Sequence, residues 1–406
     1  MSYHIRCKDN IRWTSLWSQD LSKKYENHEI IMKIPPYTFP TDRASIEDRI
    51  DAIDPIAYGK DRNYITGHVT MLSPYISRGF ITVGEIRDRV LARGFRPHQI
   101  ESFLKELAWR EYFLRVWEWL GTDRMMADIR FDQTDVLTHD MPIAFVDKRT
   151  GIEAIDLAIE SLYETSYMHN HLRMYIAGIA CNMSGAHWRT PSQWMYYHLL
   201  DGDLASNTCS WQWNAGAFSS KKYITIQTNI NQYTGSTQRK TFLDRSYEDI
   251  WTTKVPDHIR VSSPLELSPV LPESAILDLD PSKPLCIYID YWINPDWKQD
   301  IEANRILVFS PSHFKRFPVS EKVIDFIIRL AKDNIPGIQI FVWEIHELRD
   351  EYRKISEKEI YLVDHILYWD IIGVTKTPYP YMIPEVSAYC ASFFAYWKQV
   401  ERYMMR

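Results

Sequence analysis

The sequence predicts a mostly α-helical region followed by a smaller α/β region, and two observations support this. Between about residues 80 and 260, apolar residues recur at spacings of three and four with polar residues between them, as on one face of an α-helix. Beyond Pro256 the pattern changes to short apolar runs rich in Ile, Val and aromatic residues. The chain has 406 residues, which is room for two or three domains.

The first region is predicted to contain several helices separated by residues that break helices. The clearest helical stretches are Glu101 to Leu120, Ile152 to Tyr163 and His169 to Met183, and the breakers are Gly121, Pro142, Gly151 and Pro191.

The second region alternates predicted strands with a helix. The strands are Leu285 to Ile289, Ile306 to Phe309, Ile338 to Val342 and Ile360 to Val363, and the helix is Ser320 to Lys332. Strand, helix and strand at this spacing predict a parallel sheet. Five prolines between residues 264 and 284 indicate a linker. We therefore predict a helical domain over residues 1–263, a linker over residues 264–284 and an α/β domain over residues 285–406.

The composition is that of a soluble globular protein, with 45% hydrophobic and 25% charged residues. No run approaches the roughly 18 apolar residues of a membrane-spanning helix. Charged residues interrupt the first twenty positions, where a signal peptide needs an apolar stretch. We therefore expect a cytoplasmic protein with no membrane association. The five cysteines are widely spaced and include no CxxC pair, which argues against disulfides and against a metal site.

Two features of the composition bear on ligands. The 15 Trp and 25 Tyr suit a chromophore pocket, a stacking surface for bases or merely a large core. The net charge of -6 disfavours nucleic-acid binding. However, residues 171–240 hold six Lys or Arg against two acidic residues, so a local positive face is available.

The segment from Asp201 to Trp213, DGDLASNTCSWQW, is the most informative motif. Two carboxylates, Asp201 and Asp203, flank a glycine, and an amide at Asn207 and tryptophans at 211 and 213 follow. Helix amphipathicity does not explain this combination. Taken alone, the two aspartates are equally consistent with a plain turn and a helix N-cap.

Two upstream segments place polar and aromatic side chains on shared helix faces, because residues three and four apart are neighbours on a helix. One group is Asn170, Arg173 and Met174, and the other is Glu106, Trp109, Arg110 and Phe113. Singly, such residues are more often core or solvated helix positions.

A third upstream segment, from Tyr58 to Pro74, contains the sequence GHVTMLSP. Hydroxyls and backbone N–H groups in a turn that opens a helix form a suitable cradle for a phosphate or pyrophosphate.

In this order and at these spacings, the four motifs resemble the FAD-binding helical domain of the photolyase and cryptochrome family. The resemblance covers roughly residues 50–235 and is carried by WxWxAG after DGDLAxN, by MHNxxRM and by ELxWREY. In the family an α/β antenna domain precedes the Tyr58 motif, and here Tyr58 lies too near the start for it. We therefore expect a short photolyase-like branch with a different α/β segment behind the helical domain.

The resemblance implies FAD, held in a folded conformation inside a helical bundle and active as FADH⁻. Arg173 would pair with Asp201 beneath the flavin, Asp203 would lie at its pyrimidine side, and Asn207 would face flavin N5. The remaining cofactor-binding positions surround the diphosphate and are Tyr58, Thr70, Met71, Leu72 and Ser73.

The resemblance also implies light-driven repair of cyclobutane pyrimidine dimers by electron transfer from FADH⁻, the reaction of a deoxyribodipyrimidine photo-lyase. The catalytic positions contact or enclose the dimer and are Glu106, Asn170, Met174, Trp109 and Trp213. A damaged pair is extruded cheaply from a duplex, and aromatic walls stabilise it in the pocket. Relatives that repair (6-4) photoproducts carry histidines at the positions of Asn170 and Met174, so their absence indicates the cyclobutane lesion.

The implied partner is UV-damaged DNA, single-stranded or duplex. Arg62, Arg110, His171 and Lys221 match or adjoin positions that touch the DNA backbone, contacts that position a strand without reading its sequence. Because the net charge is low, we expect binding that weakens steeply with salt.

Trp211 and Trp188 match the first two members of the tryptophan chain that photoreduces the flavin. Residues 121–187 contain no Trp where the third would lie. Tyr163, Tyr167 and Tyr175 are candidate substitutes.

Two rival functions remain at this point. The first is a cryptochrome-like blue-light photoreceptor without repair activity, and the second is a single-strand nucleic-acid binder in which FAD is structural. In the α/β region, Ser310, Ser312 and His313 follow a strand at the end where α/β ligands commonly bind. No GxGxxG or P-loop accompanies them, and structural support, an antenna-like or vestigial domain and dimerisation all stay open for this region.

Overall fold

The computed structural model describes residues 34–404, and its first region is helical, as predicted. The helices are α1 (Arg43–Asp51), α2 (Pro55–Asp61), α3 (Ser73–Ser77), α4 (Val83–Ala92), α5 (Glu101–Met125), α6 (Ile143–Val146), α7 (Glu153–Thr165), α8 (Asn170–Gly178), α9 (Arg189–His198), α10 (Leu204–Ala215), α11 (Gln227–Thr234) and α12 (Asp257–Arg260). A π-helical turn, Ile179–Met183, continues α8. Two short strands, β1 (Met141–Pro142) and β2 (Ser262–Ser263), pair antiparallel.

The three long helices predicted from periodicity are present as α5, α7 and α8 with its π-helical continuation. The predicted breaker Gly121 interrupts α5, where its φ of 72° lies in the left-handed region that favours glycine. Local caps fix other ends. Thr82 and Glu85 form a capping box at the start of α4. Asp203 caps α10 by accepting a hydrogen bond from the Ser206 N–H at 2.7 Å.

The second region is a five-stranded parallel sheet in the order β5-β4-β3-β6-β7. Its strands are β3 (Leu285–Tyr288), β4 (Asn304–Phe309), β5 (Gln339–Val342), β6 (Ile360–Val363) and β7 (Thr375–Thr377), and its helices are α13 (Pro311–Arg316), α14 (Glu321–Asn334), α15 (Ile345–Arg353) and α16 (Phe393–Met404). The four predicted strands and the predicted helix are present. Strand β7, which is short and polar, and the helices α13, α15 and α16 were not predicted.

The strand order reverses between β3 and β6, which makes the carboxyl ends of these strands the switch point of the sheet. Open α/β sheets commonly bind ligands in the crevice at such a point. Here Asp290 and Tyr291 follow β3 and His365 follows β6, and all three are buried against the helical region.

The helical region and the sheet share one hydrophobic core. A single buried cluster contains residues of α1, α3, α4 and α5 together with those of β3, β4, α14 and α16. Polar contacts cross the same boundary, such as the two 2.8 Å hydrogen bonds from Arg43 to Asp296 and that from the Ser320 N–H to the Tyr197 carbonyl.

The predicted domain boundaries stay a prediction. The segment 264–284, predicted as a linker, has neither helix nor strand and runs along the sheet, where the Asp278 and Asp280 N–H groups donate to Gln339 and Asn304.

Among the described residues, no helix is long and apolar enough to cross a membrane. Within residues 34–404, no three His, Cys, Asp or Glu side chains come together in a way that could hold a metal ion. Cys181, Cys209, Cys286 and Cys390 are free and buried. Cys7 and the segment considered for a signal peptide lie outside the described residues.

Candidate cofactor and substrate site

A cavity of about 600 Å³ lies in the helical region. This size falls in the range of about 300–1,000 Å³ that is usual for small-molecule and cofactor sites. Of the twenty site residues predicted from the sequence, eighteen line this cavity: Tyr58, Arg62, Thr70, Met71, Leu72, Ser73, Glu106, Trp109, Arg110, Asn170, His171, Arg173, Met174, Asp201, Asp203, Asn207, Trp211 and Trp213. The other two, Trp188 and Lys221, do not line it.

Helix α5 supplies one wall of the cavity. Its residues 106, 109, 110 and 113 all face the cavity, as their helical spacing predicts. The Glu106 carboxylate lies 3.1 Å from a guanidinium nitrogen of Arg62. Burial raises the pKa of Glu106 above its ordinary value, and Arg62 partly opposes this shift. Glu106 is therefore a carboxyl group that takes up a proton more readily than one in water.

The turn before α3 forms a second wall. Met71 adopts a left-handed conformation with φ 55°, which is uncommon for a residue with a side chain. Arg49 holds this turn by donating to the Met71 carbonyl at 3.1 Å. The Leu72 N–H donates to the Thr70 hydroxyl at 3.4 Å, and no side chain caps the start of α3 at Ser73. The turn therefore presents hydroxyls and a helix start to the cavity, the cradle that the sequence predicts.

Two ion pairs lie on either side of Gly202. Arg173 reaches both carboxylate oxygens of Asp201, at 3.0 and 2.8 Å. Arg110 lies 2.8 Å from Asp203, whose other oxygen caps α10. A Cβ atom at Gly202 would lie 3.0 Å from the carbonyl oxygens of both Leu199 and Tyr196. A side chain between the two carboxylates would therefore be crowded by the backbone of the preceding turn.

Two consecutive residues, Ser77 and Arg78, hold the backbone of the loop that contains Asp201 and Asp203. Ser77 donates to the Asp201 carbonyl at 3.0 Å. Arg78 donates to the Leu200 carbonyl at 3.1 and 2.9 Å and to the Gly202 carbonyl at 3.2 Å. Three successive carbonyl groups are thus fixed, which sets the direction in which both aspartates point.

Arg78 is fully buried, and its charge is matched by the α/β region. Its third nitrogen lies 3.8 Å from Asp290, and His313 lies 3.7 Å from the same carboxylate. Burial alone would raise the pKa of Asp290, but His313 and Arg78 lower it below its ordinary value. The Tyr291 hydroxyl also accepts a hydrogen bond from the Leu204 N–H at 3.1 Å. The carboxyl end of β3 therefore supports the loop that carries Asp201 and Asp203.

Several polar groups that line the cavity are left for a ligand. The Asn207 amide nitrogen donates to the Ser192 carbonyl at 3.0 Å, which leaves its oxygen as a hydrogen-bond acceptor. Two nitrogens of Arg110, the Ser206 hydroxyl and the Asn214 amide oxygen are buried without a hydrogen-bond partner. Buried polar atoms without partners are costly, so these groups fit a polar ligand of the size of FAD, which carries phosphate, ribose and flavin hydrogen-bonding groups.

The residues predicted to contact the substrate line the cavity with aromatic and amphipathic side chains. The Asn170 amide lies 3.9 Å from the Met174 sulfur, as their i, i+4 spacing predicts. Trp213 is 38% exposed and packs against Tyr223. Trp109 stacks on Phe393 of α16, with 3.8 Å between ring centroids and 9° between ring planes.

The two predicted electron-transfer tryptophans are both buried, and Trp188 lies outside the cavity lining. Its indole N–H donates to Asp128 at 2.6 Å, and its ring packs against His187. The candidate substitutes for a third tryptophan have other neighbours: Tyr163 contacts Trp194, Tyr167 contacts Tyr37 and lines the cavity, and Tyr175 bonds the Asn229 carbonyl.

The four residues predicted to contact DNA differ in their surroundings, and that role stays a prediction. Arg110 is mostly buried and paired with Asp203. Burial and Arg62 lower the pKa of His171 to about 4, so its ring is neutral near pH 7 and offers a hydrogen bond rather than a charge. Arg62 lies beside Glu106, and Lys221 is exposed outside the cavity.

The residues predicted as a ligand site in the α/β region are already partnered. Ser310 is buried and accepts a hydrogen bond from Tyr368, His313 faces Asp290, and Ser312 bonds Glu344. This end of the sheet is occupied by the protein itself.

Sequence reasoning missed Arg78, Asp290 and Phe393, which support the site from behind. No local motif marks them, because their roles depend on contacts between segments far apart in the chain. Tyr167 was considered only for electron transfer, yet its ring lies beside the Arg173 guanidinium, 5.3 Å away.

Residues 103–247 match a family model described as the FAD binding domain of DNA photolyase. A deoxyribodipyrimidine photo-lyase of Alkalihalophilus pseudofirmus is 28% identical over 207 residues, covering 50% of this chain and 42% of that protein. The mitochondrial deoxyribodipyrimidine photo-lyase of Saccharomyces cerevisiae is 29% identical over 165 residues, 37% of this chain and 29% of that protein. The aligned parts thus span less than half the length of these relatives.

Among solved structures, a Synechocystis cryptochrome superposes with a TM-score of 0.45 at 21% identity, covering 51% of this chain and 46% of the other. The residues that the family model matches, 103–247, include α8, α10 and all but the first two residues of α5, and with them Glu106, Arg173 and Asp203. Residues 103–247 of this chain are therefore similar to the FAD binding domain of DNA photolyase.

Proposed function

We propose that this protein repairs cyclobutane pyrimidine dimers in DNA, using light and reduced FAD. One observation carries the proposal: a single cavity is lined at once by the polar set Arg173, Asp201 and Asn207 and by the substrate set that includes Glu106 and Trp109. An electron donor bound by the first set and a lesion bound by the second would share one cavity.

FAD, when bound as FADH⁻ and excited by light, supplies the single electron that opens the two C–C bonds of the dimer. The chain's own contribution is to hold that form. Asn207 has its amide nitrogen engaged by Ser192, so its oxygen is oriented to accept a hydrogen bond. Reduced flavin carries an N–H at N5 and oxidised flavin does not, so an acceptor at this position favours the reduced form.

Glu106 would stabilise the charge that the lesion gains. Its pKa is raised, so a protonated carboxyl is more available to donate a hydrogen bond to a pyrimidine carbonyl than for an exposed glutamate. Arg62, 3.1 Å away, keeps the carboxyl at the cavity wall.

Trp109 and Trp213 would enclose the flipped-out bases, at about 1–3 kcal/mol per stacked base. Asn170 and Met174 complete this end with an amide and a polarizable sulfur, neither of which titrates. The substrate is thus recognised by shape and stacking, whichever sequence flanks it.

The proposal is tested with purified protein that contains FAD, chemically reduced, and UV-irradiated oligothymidine under blue light. Recovery of the ultraviolet absorbance of the bases measures repair, and a dark sample is the control. We expect recovery that depends on light and is lower for Glu106→Ala. Glu101→Ala, on the same helix but outside the cavity, is the matched control and should repair as the unaltered protein does.

Absence of any recovery would contradict the proposal. Absence of recovery together with a light-dependent change of oligomeric state would indicate a photoreceptor. Equal repair by Glu106→Ala would remove the assigned role of Glu106 alone.

A further inference from the structure

The ring of Trp109 is held from behind by the last helix of the described chain. Phe393, the first residue of α16, stacks on Trp109 at 3.8 Å with 9° between the planes. Phe393 is 3% exposed and Trp109 lines the cavity. One face of the indole is therefore covered by Phe393. Tyr112 and Phe113 of the same helix pack against the ring at 5.8 and 5.2 Å, so a ligand reaches it from the cavity.

Phe393 is itself held in place by neighbouring rings. Tyr112 packs against it edge to face at 5.9 Å, and Trp397 lies nearly parallel to it at 6.3 Å. Lys105 of α5 lies over the Trp397 ring, 5.3 Å from its centroid. The stack therefore continues from the cavity wall into the body of α16.

A buried carboxylate ties the same segment to α5. Glu111 accepts hydrogen bonds from the Tyr396 hydroxyl at 2.7 Å, from the Ile383 N–H at 3.2 Å and from the Met382 N–H. Glu111 lies two residues from Trp109 and is 2% exposed. These bonds fix α16 and the segment before it relative to the helix that carries Trp109.

We propose that Phe393 is a positioning residue for substrate binding, which holds the Trp109 ring in the plane on which a flipped-out pyrimidine stacks. This inference rests on the proposed function and extends it, since it makes the C-terminal helix part of the substrate wall. A flat ring on one face stops the indole from rotating about its side-chain bonds, so less rotational freedom is lost when a base stacks on the other face.

The test is dark binding, which needs no catalysis. Fluorescence anisotropy measures the affinity of the FAD-containing protein for labelled oligothymidine with and without UV damage. For Phe393→Leu, which keeps apolar bulk without a flat face, we expect lesion binding about three- to tenfold weaker, in line with the usual strength of aromatic pairs. Flavin content and binding of undamaged oligothymidine should stay unchanged.

Phe394→Leu is the matched control, because Phe394 is the next residue, is 69% exposed and packs on Phe393 but not on Trp109. It should bind the lesion as the unaltered protein does. The decisive comparison uses Trp109→Ala as a second background. If Phe393 acts through Trp109, Phe393→Leu should cause no further loss of lesion binding there.

Three outcomes would count against the inference. Full lesion affinity in Phe393→Leu would overturn it while leaving the proposed function intact. Additive losses in the double variant would show that Phe393 acts on general stability and not through Trp109. Absence of any preference of the unaltered protein for damaged oligothymidine would overturn the proposed function and this inference with it.

Discussion

Arg78 and Asp290 form a buried ion pair, 3.8 Å apart, that joins the helical region to the carboxyl end of β3. The other two guanidinium nitrogens of Arg78 donate hydrogen bonds to the carbonyls of Leu200 and Gly202. The sheet is thereby connected through one guanidinium to the loop that carries the two cavity aspartates. The α/β region thus has a role that its own sequence does not indicate, because its switch point binds the helical region.

Removal of Asp290 should be strongly destabilising. Asp290→Ala leaves the Arg78 charge buried with no carboxylate, which typically costs about 3–5 kcal/mol. Chemical denaturation measures the free energy of unfolding. Asp296→Ala, six residues on, breaks the exposed pair with Arg43 and should cost less than about 1 kcal/mol. Equal losses of unfolding free energy in the two variants would show that the buried pair stabilises the protein no more than the exposed pair does.

Flavin retention should depend on Asp201. Asp201→Asn keeps the shape of the side chain but weakens both hydrogen bonds from Arg173, and loss of charge-assisted bonds lowers affinity by roughly tenfold or more. The flavin absorbance per polypeptide after extensive dialysis measures the effect. Asp135→Asn disrupts the surface pair with Lys222 and should keep its flavin. An unchanged flavin content in Asp201→Asn would show that the Arg173–Asp201 ion pair does not contribute to cofactor binding.

Gly202 should not tolerate a side chain. In Gly202→Ala the new Cβ meets two backbone carbonyl oxygens at 3.0 Å, and the loop has to shift at a cost of about 1–3 kcal/mol. Gly59→Ala provides the comparison. Gly59 lies inside helix α2, and a Cβ atom there would make an ordinary van der Waals contact with Ser102 of α5 at 3.4 Å. That change should be neutral or stabilising by up to about 1 kcal/mol. Thermal unfolding of both variants checks the contrast, and similar melting temperatures would contradict it.

The protein should lose stability as the pH falls from about 6.5 towards 4. Burial lowers the pKa of His365 from its ordinary 6.5 to about 4, so across this window the unfolded chain binds a proton that the folded chain does not. The stability is therefore present above pH 6.5 and is lost on acidification. His169, His171 and His198 have pKa values lowered to about 4 in the same way.

His365→Asn isolates one of these histidines. Asparagine keeps an acceptor for the Leu367 N–H, to which the His365 ring nitrogen is bonded at 3.4 Å, but does not titrate. The pH dependence of the unfolding free energy should then be shallower by roughly one proton between pH 6.5 and 4. An unchanged slope would show that His365 is accessible to protons in the folded state.

Much of the cavity could be predicted from the sequence because its residues are grouped in short local motifs. The spacing of Glu106, Trp109 and Arg110 places them on one helix face whatever surrounds the helix. The same holds for Asn170, Arg173 and Met174. Strands β3, β4 and β6 were predictable because they are largely buried and contain short apolar runs, such as the last four residues of β4, Ile-Leu-Val-Phe.

What could not be predicted depends on tertiary contacts. The spacing of Arg110 gives its helix face but not the burial that pairs it with Asp203. Strand β7 has only three residues, Thr-Lys-Thr, and no apolar pattern. Phe393 and Asp290 lie far along the chain from the residues that they support, and a single sequence carries no signal of such pairings.

The hydrogen bonds to Glu111 come from residues 271 to 285 positions further along the chain. During synthesis at about 5–20 residues per second, the outer face of α5 therefore stays uncovered for on the order of 15–60 s after α5 itself is made. Over that interval the Glu111 carboxylate and the Trp109 indole lack their partners, because the segments that contain Met382, Phe393 and Tyr396 have not yet been synthesised. The cavity wall that contains Trp109 should thus be completed last in the nascent protein, and a chain that terminates early should be a target for chaperones and proteases.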